Sequence, residues 1–355
     1  MLFTETYNKQ RKLGLSGVMR VRNEARMIES CIDSVIDALD ELIVVCNDCT
    51  DETPIILESK VKQYPDKLRV FAYNHNVLSF EMSDEDYELA LRLPDDSPRL
   101  YCNQCNFGLA QAKYSYVVKI DTDQFYFEDE IKKWRDICSG KREENWSFLL
   151  VIGWFFMMYF TLYRRLSARL GKPCLWMIPD WLVKICYEPY QKLARWQLVQ
   201  GKSAISLAGV NLFKDNDWYI PFDIYNAHPP YNGAGDTVIF KLSEKTYFTR
   251  HPNKKYNSVT EHFNHPYKVM YTGPVWFHQH ANRVQCWSKV KKVKDKYPEM
   301  FISIMEFLKM SYNDVHRKMG NSPATLHSRI LFALVHKVGK TSIIKNLHVI
   351  SKYKI

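Results

Sequence analysis

The chain has 355 residues, too many for one small core, so a main domain with a large insertion or appendage is expected. Its 46% hydrophobic and 25% charged residues exclude a disordered chain, while 14% aromatic content suits carbohydrate faces, membrane interfaces and plain cores alike. A formal net charge of +10 points to an anionic partner surface, phospholipid rather than nucleic acid, because no nucleic-acid motif accompanies it.

Residues 1–12 are a polar lead-in. Leu15 to Val21 reads as the first strand, broken by Arg22, Asn23 and Glu24. Ile28, Cys31, Ile32, Val35, Ile36 and Leu39 then recur at spacings of three and four, the period of a helix with one apolar face. Leu42 to Cys46 is a second buried strand, ending in Asn47, Asp48 and Cys49, with Asp51 close behind. Pro54 sits where a first-turn proline opens a helix. Leu68 to Ala72 is a third strand. Residues 73–99 are acidic and read as a solvated loop, and Leu100 to Lys113 as a helix. Strand and helix alternating at this pace predict an α/β fold with a mostly parallel sheet and right-handed crossovers.

The central stretch is Tyr116 to Asp123. Val117, Val118 and Ile120 form a short apolar strand that stops at two carboxylates, Asp121 and Asp123. Side chains two apart on an extended chain share a side, so the pair can converge on one hard divalent cation, Mg²⁺ or Mn²⁺. In open α/β sheets ligands bind beyond the carboxyl ends of strands, where these acids lie.

Residues 145–163 carry no charge over nineteen positions and end at Arg164 and Arg165. Up to about residue 199 the chain mixes Trp176, Trp181, Tyr187, Tyr190 and Trp196 with Lys172, Lys184, Lys192 and Arg195, as interfacial surfaces do. The segment reads as a membrane-dipping insertion; a buried hydrophobic subdomain and a single span are the alternatives. Sheet-like sequence returns at Ala204 to Phe213, at Asn232 to Phe240 with Asp236 behind a Gly-containing turn, and at Pro274 to His280. Asp236 also fits a helix N-cap, and both readings stay open. No acid follows Asp314, whereas Arg317, Lys318, Arg329, Lys337, Lys340, Lys345, Lys352 and Lys354 do, forming a basic tail. Nine irregularly spaced cysteines and the absence of an apolar leader predict a reducing, cytoplasmic compartment. The pairs Cys46/Cys49 and Cys102/Cys105 read as buried thiols rather than a zinc ribbon.

Four separated pieces resemble the GT-A glycosyltransferases, family 2 type. Val18 to Glu24 resembles the first strand and its turn against the nucleotide. Val44 to Thr53 resembles the acidic base-and-ribose segment. Asn106 to Ala110 resembles the helix before the D-x-D, and Asp121 with Asp123 matches the D-x-D itself. The resemblance covers residues 14–125 well and 204–280 loosely. It implies a metal-dependent, inverting transfer of a sugar from a nucleotide-sugar, with Arg22, Asn23, Glu24, Asn47, Asp48, Asp51, Asn106 and Asp121 at the donor. It further implies Asp236 as base, and a late histidine, His278 before His280, as third metal ligand beside Asp121 and Asp123. Cys46 and Asn47 stand where the family often has two acids, so Asp48 or Asp51 takes over the contact to a base, with uridine favoured.

The resulting expectation is a peripheral enzyme on the inner face of the cytoplasmic membrane. It glycosylates a glycan or glycolipid such as a lipooligosaccharide core or capsule chain. Expected boundaries are 1–144 for the nucleotide-sugar half, 145–200 for the insertion, 201–290 for the acceptor and metal half, and 291–355 for the basic helical tail. Transfer to a polyprenyl phosphate, a sugar nucleotidyltransferase and a non-catalytic binding module are the competing functions. The nucleotidyltransferase would carry a Gly-rich basic loop at the first strand, where only Gly14 and Gly17 occur.

Overall fold

The computed structural model describes residues 9–170, 179–223, 225, 228–320 and 326–352. In chain order, β1 (Lys12–Val21) is followed by α1 (Ile28–Val35), β2 (Glu41–Cys46), α2 (Thr53–Gln63) and β3 (Leu68–Ala72). Helices α3 (Asp84–Arg92) and α4 (Tyr101–Ala110) precede β4 (Tyr114–Ile120), the short β5 (Gln124–Tyr126) and α5 (Glu128–Cys138). Two long helices follow, α6 (Phe148–Leu170) and α7 (Asp180–Val199). Next come β6 (Ser203–Asn211), β7 (Phe213–Asp215), β8 (Asp217–Pro221) and β9 (Tyr231–Lys241). After them are β10 (Tyr247–Asn253), β11 (Ser258–Asn264), β12 (Lys268–Tyr271) and β13 (Trp276–His278). The chain closes with α8 (Val284–Lys296), β14 (Phe301–Ser303), α9 (Ile304–Lys309), α10 (Tyr312–Met319), α11 (Leu326–Lys345) and α12 (His348–Lys352).

The chain divides into two compact units. The first comprises Met1–Thr122, Ile131–Arg142 and Ile239–Lys268. Its strands run β3-β2-β1-β4, all parallel, with Val21 opposite Cys46 and Met19 opposite Ile120. Residues 239–241 of β9 add an antiparallel edge to β4. Parallel strands are buried on both faces and so read as continuous apolar runs; Leu42, Ile43, Val44 and Val45 are fully buried.

The acidic stretch expected as a loop contains α3. Ser83 Oγ accepts the Asp86 amide at 3.1 Å. Asp84, Glu85 and Asp86 fill the first turn and Arg92 the last, which matches the helix dipole at both ends. Its buried residues, Tyr87 and Ala90, pack with Leu78 and Val259. Val259 lies far away in sequence, so the acidic composition alone read as solvated chain.

The second unit comprises Asp123–Glu130, Glu143–Val238 and Val269–Ile355. Strand β6 is buried along its whole length and lies between β9 and β13, with β5 beyond. Phe277 and His278 pair with Val210 and Asn211 of β6, and Trp276 to His278 pair antiparallel with β5. The basic tail is folded here: Phe332, Ala333, Val335, Ile343 and Val349 join the core around Phe307 and Tyr231. Lys345 pairs with Asp129, and Lys340 Nζ donates to the Met310 carbonyl at 2.6 Å.

Candidate functional site

In the first unit, two candidate nucleotide segments leave the carboxyl ends of neighbouring parallel strands and are tied to each other. Thr50 N donates to Asn23 Oδ1 at 2.7 Å, Glu24 N to Thr53 Oγ1 at 2.8 Å, and Ala25 N to Asp51 Oδ2 at 3.1 Å. Asn23 and Asp48 hold left-handed backbone, φ +55° and +39°, which asparagine and aspartate tolerate better than most residues. Asp51 also accepts the Thr53 amide. Burial by itself would raise its carboxyl, but these hydrogen bonds hold it below its ordinary value. Asp51 is therefore a clamp between the two loops, and like Arg22 and Asp48 it stands exposed.

Asn47 is buried and its amide nitrogen donates to the carbonyls of Tyr73, at 2.6 Å, and His75, at 2.7 Å. Asn106 is likewise engaged. Its Nδ2 donates to the Phe248 carbonyl at 2.8 Å, and its Oδ1 accepts the Phe248 amide at 2.7 Å. That makes Asn106 a strut between α4 and β10. Cys46 and Cys49 lie with their sulfurs 3.3 Å apart at the end of β2. The hydrogen bond from Cys46 pulls the Cys49 thiol down to about 7, and pushes that of Cys46 up.

The extended-chain argument for the two acids does not hold locally, because β4 stops at Ile120 and the chain turns at Thr122 and Asp123. Asp121, in the first unit, is half-buried within a quartet of charges. Arg20 Nη2 lies 2.9 Å from Glu261 Oε1 and 3.6 Å from Asp121 Oδ1, and Lys119 Nζ is 3.5 Å from Asp121 Oδ2. The Arg20 guanidinium also covers the Tyr101 ring at 4.2 Å.

Asp123 belongs to the second unit, where three cationic or basic groups converge on its Oδ2. His278 Nε2 is 3.5 Å away, His280 Nδ1 3.2 Å and Arg283 Nε 2.9 Å. Burial alone would raise this carboxyl; His278 and Arg283 hold it well below the usual carboxylate range. Strand β13 delivers His278, and the following 3₁₀ turn delivers His280. The Gln279 amide donates to the Asp123 carbonyl at 2.6 Å, fixing that turn against the acid. Asn211 Nδ2 donates to the Pro229 carbonyl, so its Oδ1 is the acceptor of a 2.6 Å hydrogen bond from His278 Nδ1. With Nδ1 committed to Asn211, Nε2 is the ring atom that faces the acid, and in the neutral ring it is the atom able to ligate a metal. Asp123, His278 and His280 each offer one ligand atom within 4.8 Å of the others, a group able to hold one divalent ion. Trp276, behind them, is core: fully buried, with Nε1 donating to Asn232 Oδ1 at 2.8 Å. Asp236 lies inside β9, not at a helix start, and its side chain falls outside the described residues.

Residues 5–172 match the family described as Beta-1,4-N-acetylgalactosaminyltransferase (CgtA). Over that stretch, a little under half of its length, the chain is similar to that glycosyltransferase family. No curated protein matches it. Similar solved structures include glucosyl-3-phosphoglycerate synthase of Mycobacterium tuberculosis with Mn²⁺, UDP and phosphoglyceric acid. It is 24% identical, with 35% of this chain and 36% of that chain covered and a TM-score of 0.22. The same enzyme with Mn²⁺, UDP-glucose and phosphoglyceric acid gives 24%, with 34% and 36% covered and a TM-score of 0.22. A mycobacterial protein gives 21%, 34% of each chain and a TM-score of 0.21. The chain spans about a third of the length of these structures.

The match to the glycosyltransferase family ends before β13, so His278, His280 and Arg283 lie outside it. Sequence reasoning placed His278 at the metal and set His280 second; the structure brings both to Asp123. Arg283, Asn211 and Glu261 were not singled out, and nothing local in the sequence marks them. Each comes from an element about 70 to 160 residues away from its partner, measured as Asn211–His278, Arg283–Asp123 and Glu261–Lys119.

Proposed function

We propose that this protein transfers a sugar from a uridine-diphosphate donor to a hydroxyl of a glycan or glycolipid, with inversion at the sugar. The description of the matching family makes an N-acetylhexosamine, N-acetylgalactosamine first, the favoured sugar. Lipooligosaccharide core or capsule chains are the acceptor class. One observation carries the reading: the second acid of the D-x-D meets two histidines that lie about 155 residues further along the chain, with His278 Nε2 directed at it and Nδ1 tied to Asn211.

Asp123, His278 and His280 would hold Mn²⁺ or Mg²⁺, and the imidazoles favour Mn²⁺. Such an ion, when bound, supplies positive charge to a departing diphosphate. The chain's own contributions are orientation and electrostatics. Asn211 fixes His278, and Gln279 fixes the turn; Asn23, Glu24, Asp48 and Asp51 form the rim of the candidate nucleotide loops. Arg20 and Lys119 hold Asp121 in place. We assign Asp236 as the base that takes the acceptor proton, as the resemblance implies.

Release of nucleoside diphosphate from a panel of UDP- and GDP-sugars tests this reading, with Mn²⁺ or EDTA and with the acceptor glycolipid present. Release from one UDP-sugar, abolished by EDTA and by Asp123→Ala, is expected. Silence across the panel, with no metal-dependent nucleotide binding, would leave a non-catalytic module.

A further inference from the structure

Helix α6 has two faces of different fate. At 3.6 residues per turn, Gly153, Phe156, Phe160, Tyr163 and Ser167 lie on one side, and all five are buried. That side is committed to protein. A Cβ on Gly153 would sit 2.3 Å from the Pro189 carbonyl oxygen of α7, and Phe156 packs edge-on to Tyr190 with ring centroids 5.7 Å apart. The other side carries Trp154, Phe155, Met158 and Leu162, which are 45%, 62%, 46% and 65% exposed. The same stripe continues at spacings of three and four into Arg165 and Arg169, both exposed. No acidic residue occurs in α6. Helix α7, beside it, exposes Trp181 and Ile185 one turn apart, 63% and 62%, with Lys184 exposed between them.

We infer that this face is a docking surface for an anionic lipid bilayer, entered in the plane of the interface and not across it. Exposed Trp and Phe bury favourably at the acyl–headgroup boundary, and arginines at the end of the same stripe reach lipid phosphates. A protein partner would have to satisfy both an aromatic strip and exposed guanidiniums; an anionic bilayer offers both chemistries in one plane. Length alone would let α6 cross, since the apolar window Phe148–Ser167 has 20 residues. Crossing is disfavoured by the committed face, and by α7, whose packed partner surface carries Arg195 paired with Glu144 and Glu188. The chain therefore lies on the membrane by α6 and α7.

The test uses the full-length protein with vesicles of phosphatidylethanolamine and phosphatidylglycerol, and with zwitterionic phosphatidylcholine vesicles. The protein is expected to co-sediment with the anionic vesicles and to be released by alkaline carbonate. Replacing Phe155 and Leu162 by Ser removes apolar area at exposed positions and should weaken binding about tenfold or more. Arg165→Glu with Arg169→Glu leaves the strip intact and should erase the preference for anionic lipid, also by about tenfold or more. Circular dichroism confirms that each variant is folded. Carbonate-resistant insertion would overturn in-plane docking in favour of a span. Equal sedimentation of wild type and both folded variants, or none at all, would overturn it too. So would a vesicle-independent dimer dispersed by the same substitutions, which would make the face a contact between copies.

Discussion

Arg283 Nε lies 2.9 Å from Oδ2 of Asp123, the same carboxylate oxygen that His278 and His280 approach. The guanidinium thus occupies the electrostatic position a divalent ion would take. Two cations at one oxygen repel, and a buried setting screens that repulsion poorly. Arg283→Gln should therefore bind Mn²⁺ more tightly than wild type, by roughly tenfold, while His280→Ala binds it more weakly by roughly 10- to 100-fold. Paramagnetic titration of free Mn²⁺ checks both. Unchanged affinity in Arg283→Gln would show that the arginine does not compete.

Asn106 holds both backbone groups of Phe248 with its single amide. Removing it leaves a buried amide and carbonyl unpaired, costing about 2–3 kcal/mol in total. Asn106→Ala should lower the urea midpoint accordingly. Asn106→Asp should fare no better, because a carboxylate cannot donate to the Phe248 carbonyl.

Gly209 faces Trp276 so closely that an added Cβ would lie 1.9 Å from the indole nitrogen. Gly209→Ala must displace the ring, break its hydrogen bond to Asn232 and shift β13, at a cost of about 1–3 kcal/mol. Because β13 carries His278, Mn²⁺ affinity and thermal stability should fall together. In His280→Ala, whose side chain is partly exposed, affinity should fall with the melting temperature nearly unchanged.

The Cys49 thiol, drawn down to about 7 by the Cys46 hydrogen bond, is partly thiolate at neutral pH. Its alkylation by iodoacetamide should rise with pH and reach half-maximum near pH 7. Cys102, raised to about 11 by burial, should stay largely unreacted at that pH. Cys46→Ala removes the hydrogen bond to the thiolate, so the Cys49 midpoint should move upward. Peptide mapping by mass spectrometry across pH reads all three outcomes.

Local sequence determined the strands of the first unit and the candidate nucleotide loops. The apolar runs at 15–21 and 42–46 are buried strands, and the run at 68–72 is the edge strand, buried at Leu68; a short apolar run of this kind needs no distant partner to be recognised. The segments around Asn23 and Asp48 were legible because each follows such a strand directly. Three features were decided only by tertiary structure. Residues 84–92 of the acidic stretch became helical because Tyr87 and Ala90 found Val259. The two acids of the D-x-D took separate surroundings because the chain turns at Thr122, which ends the alternation an extended strand would impose. His280 and Arg283 reached Asp123 because β13 pairs with β5, a contact about 150 residues apart that no local period encodes. Spacing reports what neighbours in the chain do; the metal group depends on which strands come to lie side by side.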